Sequence, residues 1–151
     1  TYYYLKAAKY FGTVPFPLLD VHPGNQTPYF STSSFSLMNY YEFVSDQFVS
    51  LFLEQHLEGL ITNRIPGLRK LKWRNVATFK AVYGSMQPQN KAIIPADFLH
   101  FRTLEKIPYI EVNYGFENIF TYFRIDVAHR LTYRDAGARR WGVLVSAQFN
   151  L

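Results

Sequence analysis

Trp141-Gly-Val-Leu-Val-Ser-Ala-Gln-Phe-Asn-Leu151 alternates with a period of two. Trp141, Val143, Val145, Ala147, Phe149 and Leu151 share one face, and Gly142, Ser146, Gln148 and Asn150 share the other, with Leu144 the exception. A two-residue period places side chains on opposite sides of a strand, so this is a strand with unlike faces. The preceding run repeats the pattern. Phe123, Ile125, Val127, Leu131 and Tyr133 alternate with Arg124, Asp126, Ala128, Arg130 and Thr132, and His129 sits on the apolar side. Upstream, Ile110, Val112, Tyr114 and Phe116 oppose Glu111 and Asn113. Trp73, Ala77, Phe79, Ala81 and Tyr83 oppose Lys72, Arg74, Thr78 and Lys80. Over Phe48–Gly59, Val49, Leu51, Leu53 and Leu57 oppose Ser50, Glu54, His56 and Glu58, while Phe52 and Gln55 break their faces. Phe35–Val44 and Tyr2–Phe11 are weaker instances. The pattern predicts about seven strands, most near the roughly 9–11 residues that cross a bilayer at a tilt.

Pro- and Gly-bearing stretches separate the runs. Gly12–Tyr29 and Gly84–Lys106 read as long loops, Asn63–Lys70 as a turn with basic flanks, and Asp135-Ala136-Gly137-Ala138 as a tight turn. Gly12, Gly59, Gly84, Gly115 and Gly142 read as turn or packing positions. No repeat or interdomain linker divides the chain, so residues 1–151 are read as part of one domain.

Alternation alone does not say which face is wet. Two features favour an inverted arrangement, with the polar face inside a lumen and the apolar face toward lipid. Charges recur in mid-strand, at Glu54, Arg74, Lys80, Glu111, Arg124, Asp126 and Arg130, with His56 and Glu58 on the same side as Glu54. Aromatics recur at strand ends, at Trp73, Tyr83, Tyr109, Tyr133 and Trp141, as an interfacial girdle requires. Aromatic residues make up 19% of the chain, with 12 Tyr and 14 Phe, more than soluble cores usually accommodate because each Tyr hydroxyl needs a partner. The expected fold is therefore all-β: an antiparallel transmembrane β-barrel, of which this is the C-terminal segment. An odd strand count leaves open edges that lipid does not tolerate, so the missing N-terminal part of the same barrel is expected to close it. Trp141, Val143, Val145, Phe149 and Leu151 form the candidate C-terminal assembly signal. The expected location is the outer membrane of a Gram-negative bacterium.

Three stretches resemble a known family. They are Phe35-Ser-Leu-Met-Asn-Tyr-Tyr-Glu-Phe-Val-Ser-Asp-Gln-Phe-Val49 with Gly59-Leu-Ile-Thr-Asn-Arg-Ile-Pro-Gly-Leu-Arg-Lys-Leu-Lys-Trp-Arg74, then Pro108-Tyr-Ile-Glu-Val-Asn-Tyr-Gly-Phe-Glu-Asn-Ile-Phe120 running on to Tyr133, and the ending Trp141–Phe149. They are similar to the C-terminal barrel of a Bacteroidetes outer-membrane family of unknown function, whose members carry a carboxypeptidase-regulatory-like domain ahead of the barrel. The resemblance runs from Tyr2 through nearly the whole chain. It implies an absent N-terminal part; it does not imply peptidase activity, and it brings no catalytic residues. More loosely, Arg124, Asp126 and Arg130 followed by Val143–Phe149 resemble the last two strands of BamA-like assembly-factor barrels.

Chemistry-bearing clusters are few. Glu54, His56 and Glu58 at spacing two suggest a proton relay or a weak metal site; the simpler reading is a solvated lumen face, and no metal or cofactor is expected. Arg124, Asp126 and Arg130 are expected to form an ion-pair ladder with Glu111 on the neighbouring strand. His22, His100 and His129 are isolated, with Asp97 near His100. Arg69, Lys70, Lys72 and Arg74 suit an interfacial anchor or lipid phosphate. There are no cysteines and no phosphate-loop pattern. A net charge of +5 is spread along the chain, and nucleic acid is not an expected partner. The expected role is non-enzymatic: transport, envelope assembly or scaffolding, with outer-membrane lipid as partner. One alternative is an interaction subunit of a larger outer-membrane complex, docking other envelope proteins through Gly12–Phe30 and Gly84–Lys106. The other is a soluble all-β binding domain. With seven strands and a periplasmic C-terminus, parity puts both the Asn63–Lys70 turn and the Gly12–Phe30 loop on the periplasmic side.

Overall fold

The computed structural model describes residues 1–59, 62–64, 66, 68–92, 101–104, 106–135 and 137–147. Its main element is a six-stranded antiparallel sheet. The strands, in spatial order, are β1 (Tyr2–Lys9), β4 (Gln47–His56), β5 (Arg74–Ser85), β7 (Tyr109–Ile119), β8 (Phe123–Arg130) and β9 (Trp141–Ala147). Each strand pairs with its sequence neighbour in the sheet, so the sheet is a simple meander. A second, three-stranded sheet joins β2 (Asp20–Val21), β3 (Phe43–Ser45) and β6 (Arg102–Thr103), with β3 and β6 parallel. A short helix, α1, spans Pro88–Lys91. No helix among the described residues is long and apolar enough to cross a membrane. Among the described residues the main sheet is open, with β1 and β9 at its edges.

Register follows the two-residue period. One row reads Tyr3–Leu53–Phe79–Val112–His129–Trp141 across the sheet. The next row, on the opposite face, reads Tyr4–Phe52–Lys80–Glu111–Arg130. The apolar face is exposed and the polar face is buried. Tyr3, Leu5, Val49, Leu53, Phe79, Tyr83, Tyr114, Ile125, Trp141, Val143 and Val145 all lie open on the outer side.

What covers the polar face is the stretch from Tyr10 to Asp46. It leaves β1, crosses the concave side of the sheet and returns into β4. Its apolar residues Phe35, Met38 and Phe43 pack against Phe48, Phe52, Val82 and Tyr109 of the sheet. Leu37 packs with Ala128 and Leu144, which explains the one apolar residue on the polar side of β9.

Two expectations are corrected here. Phe35–Val44 is not a strand of the main sheet; only Phe43–Ser45 is extended and paired, and it belongs to the small sheet. Its apolar residues are buried because they fill the concavity, and its backbone bonds go to irregular partners such as Pro23 O for Phe35 N. Removing that strand changes the parity. Lys9 and Gln47 pair at one end of the sheet, whereas His56 and Val76 pair at the other. The Gly12–Phe30 stretch therefore leaves the sheet at the end opposite the Asn63–Lys70 turn. The turn itself is built of two 3-10 segments, Thr62–Arg64 and Leu68–Leu71. The Asp135–Ala138 turn forms as expected, with Ala138 N donating to Asp135 O at 3.1 Å.

Gly115 has a packing role. A Cβ there would lie 2.1 Å from Ile125 O and 2.8 Å from Asp126 Cα, so the close approach of β7 and β8 requires glycine at this point.

Candidate functional site

The distinctive site is the buried polar interior between the sheet and the Tyr10–Asp46 stretch. A buried charge is tolerated only when it is paired and hydrogen-bonded. Each inward charge meets that condition in its own way.

Lys80 is fully buried, and its Nζ donates to Ser31 O at 2.7 Å, Ser34 O at 2.6 Å and Ser36 Oγ at 3.2 Å. Its register partner Glu111 performs the complementary task. Its carboxylate accepts Ser36 N through Oε1 and Leu37 N through Oε2 at 3.0 Å, and also the Tyr109 hydroxyl at 3.1 Å. One cation thus ties down backbone carbonyls of the Ser31–Leu37 stretch, and one anion ties down its N–H groups. The irregular backbone there has no ladder of its own, so these two side chains supply the bonds that a sheet would.

Arg124 is the centre of a second cluster. Its Nε donates to Asp126 Oδ2 at 2.6 Å, and its Nη1 and Nη2 donate to the Glu54 carboxylate at 3.0 Å each. The guanidinium lies 3.8 Å from the ring centroid of Phe30. Thr78 Oγ1 adds a bond to Glu54 Oε2 at 3.3 Å. Arg130 forms a third cluster, gripping Glu42 with Nη2–Oε1 at 2.6 Å and Nη1–Oε2 at 3.1 Å. Glu42 also accepts Asn39 N at 2.8 Å. Phe30 and Glu42 both come from the covering stretch, so all three clusters join the sheet to it.

The covering stretch also reaches the far edge of the sheet. Phe30 N donates to Val145 O at 3.0 Å, and Val145 N donates to Pro28 O at 2.8 Å. Part of the outer edge of β9 is thereby occupied.

At one end, His56 bridges two carboxylates, with Nδ1 2.9 Å from Glu117 Oε2 and Nε2 3.1 Å from Glu54 Oε1. His22 is buried beside Ser45, with Nε2 2.9 Å from Ser45 Oγ, and packs edge-on against Phe48. Burial pushes its pKa down to about 4, with Asp20 raising it and Lys6 lowering it by smaller amounts.

Glu54, Lys80, Glu111, Arg124, Asp126 and Arg130, read from the sequence as lumen-facing, lie on the buried face of the sheet, and Arg124 and Asp126 pair. Other expectations need correction. Glu58 leaves the strand in a turn with φ 41° and is exposed, so Glu117 takes its place beside His56. Among the described residues no group of three or more His, Asp or Glu is arranged to hold a metal. Arg74 shares the inward parity but sits at the open end of the sheet and is exposed. Glu111 bonds backbone N–H groups, and Arg130 pairs with Glu42, so the ladder between β7 and β8 is replaced by contacts to the covering stretch.

Tyr109 is 0% exposed and faces inward, which removes it from the outer aromatic set. Tyr133 packs with Tyr109 and Phe43, at ring distances of 6.4 and 5.0 Å. Tyr83 and Trp141 are exposed on the outer face, and Trp73 is half-buried against Phe116. His129 faces outward and stacks on Tyr114. Asp97, His100, Phe149 and Leu151 lie outside the described residues, as does the side chain of Arg69. Glu42 and Glu117 are the participants that sequence reasoning missed. Glu42 belongs to no clear alternating run, Glu117 continues the face of Glu111 and Asn113 past the Phe116 end of the strand read from sequence, and their partners are far away in sequence.

Residues 1–91 match the C-terminal domain of a family of unknown function, DUF5686. The match covers β1 through α1 and the whole covering stretch, and stops short of β7, β8 and β9. No curated protein and no solved structure matches the chain.

Proposed function

This chain belongs to the DUF5686 family of unknown function through its C-terminal domain, and we propose that it is the wall and inner plug of an outer-membrane β-barrel with a non-enzymatic role in envelope assembly or scaffolding. One observation carries the reading: the sheet buries its charges and exposes its apolar side. Across the outer face of all six strands the only charged side chain is Lys9, at the end of β1. A soluble sheet in this state would present to water an apolar patch well beyond the roughly 300–600 Å² of ordinary monomers. Lipid satisfies that face, and a lumen satisfies the other. Further strands, pairing with β1 and with the part of the β9 edge that Pro28–Phe30 leave free, close the barrel in this reading, because an open edge is not tolerated in hydrocarbon.

The Tyr10–Asp46 stretch then acts as a plug. It fills the concavity of the sheet and is held by Lys80, Glu111, Arg124 and Arg130, which argues against a wide passive pore and for an assembly or scaffold role. Loop lengths set the orientation. The end with the three-residue link between Ile119 and Phe123 faces the periplasm, and the end that launches the plug and the stretch after Ser85 faces outward.

The test is extraction of the full-length protein from membranes with and without detergent, followed by conductance in planar bilayers. The reading expects release only by detergent and little conductance. Release into buffer alone overturns the barrel, and a stable, large, ungated conductance overturns the plug.

A further inference from the structure

At the end of the sheet opposite the one from which the plug leaves β1, two turns are joined. Asn118 Nδ2, at the end of β7, donates to Lys72 O at 2.9 Å, and Arg74 is the register partner of Glu117. This junction gathers the exposed cations Arg64, Lys70, Lys72 and Arg74. Beside them stand exposed apolar residues: Leu71 at 48%, Phe120 at 81% and Tyr122 at 51%. None of the four cations has an ion pair among the described residues, and Glu58 is the one exposed carboxylate described nearby. The basic residues at the plug end are partly engaged by the protein's own groups. Arg102 pairs with Asp135 at 2.5 Å, and Arg139 donates to Asn25 O at 2.5 Å.

The cations border the apolar outer face. Trp73 rests on Phe116, which belongs to that face, with ring centroids 5.8 Å apart. Exposed ammonium and guanidinium groups without ion pairs among the described residues, at the end of an apolar face and with aromatics beside them, match the layering of a bilayer, in which phosphates lie just outside the acyl chains. We infer that this turn cluster is a binding surface for the phosphates of anionic glycerophospholipid in the periplasmic leaflet. The inference rests on the barrel reading and its orientation, and adds a lipid preference to it. Arg64 and Arg74 suit a fork onto phosphate oxygens, while Lys70 and Lys72 supply point charges.

The experiment uses full-length protein in mild detergent, with native mass spectrometry to count retained lipids. Phosphatidylglycerol and phosphatidylethanolamine of identical acyl chains are supplied in equal amounts, and purified lipopolysaccharide in a parallel sample. Retention of phosphatidylglycerol is expected to exceed that of phosphatidylethanolamine by at least about fivefold, the equivalent of one basic contact, and to weaken with salt. The triple variant Lys70→Gln/Lys72→Gln/Arg74→Gln is expected to lose most of that preference, while Arg134→Gln/Arg140→Gln at the far end keeps it. Heat-modified gel mobility checks that both variants are folded, and the single variant Lys72→Gln serves if the triple one is not. Equal retention of the two phospholipids overturns the inference, as does a preference that survives in the triple variant, or in Lys72→Gln where that variant replaces it. So does a loss confined to lipopolysaccharide, which would place this end in the outer leaflet. A protein that needs no detergent at all fails the barrel reading instead, so the two failures are told apart.

Discussion

Replacing Arg124 by Met tests whether the interior is dry and charged as described. Arg124 is 1% exposed, and it holds Glu54 and Asp126 through four bonds between 2.6 and 3.0 Å. Met keeps much of the volume and none of the charge. Two carboxylates then remain buried, with Lys80 committed to Ser31, Ser34 and Ser36. Stranding a buried charge costs about 3–5 kcal/mol. The guanidinium also lies over Phe30, and a desolvated contact of that kind adds about 1–2 kcal/mol. The expected loss is about 5 kcal/mol, or roughly three to four powers of ten in the unfolding equilibrium. The assay is urea unfolding of the full-length protein in detergent, read by tryptophan fluorescence and by gel mobility without boiling. The double variant Arg124→Met/Glu54→Gln should recover about 2 kcal/mol, because it removes one of the two carboxylate charges that Arg124 neutralises. A loss below about 1 kcal/mol in the single variant would refute the reasoning, since that is the size of a solvated pair. It would mean that water reaches Arg124 and that the plug does not seal the site.

Three other outcomes are expected. Val143→Arg, on the outer face, should lower folding stability in bilayers by about 2–4 kcal/mol; a change within about 0.5 kcal/mol would mean that this face sees water. Gly115→Ala should cost about 1–3 kcal/mol in chemical unfolding, because the new Cβ meets backbone of β8 at 2.1 Å and must push the strands apart; an unchanged midpoint would show that β7 and β8 are not so closely apposed. His22 is neutral when folded, with its pKa lowered from 6.5 to about 4. Its contribution is fully present above pH 6.5 and is lost as pH falls toward 4, because the unfolded chain takes up the proton first; the full loss is about 3 kcal/mol. Urea midpoints measured from pH 7 to pH 4 should show this dependence in the parent and not in His22→Gln, and identical pH profiles would remove His22 as its source.

The two-residue alternation by itself determined six of the strands and which side of each is polar. Tyr3, Leu53, Phe79, Val112 and Trp141 fall in one row and Lys80, Glu111 and Arg130 in the next, because side-chain direction in a strand is a local property of the backbone. The inward turn of Leu144 was visible as a break in pattern, but its reason, Leu37, was not. Only tertiary structure decided that Phe35–Val44 packs on the polar face instead of adding a strand, and that fixed the end of the sheet from which Gly12–Phe30 departs. Alternation reports burial on one side without saying what does the burying. Partner choice was equally hidden. Arg130 lies 88 residues from Glu42 and Arg124 lies 70 from Glu54, and Lys80 bonds carbonyls that every residue possesses. A charge in mid-strand announces that it must be neutralised; which group neutralises it depends on how an irregular chain packs against the sheet, and that is fixed by contacts no local pattern records.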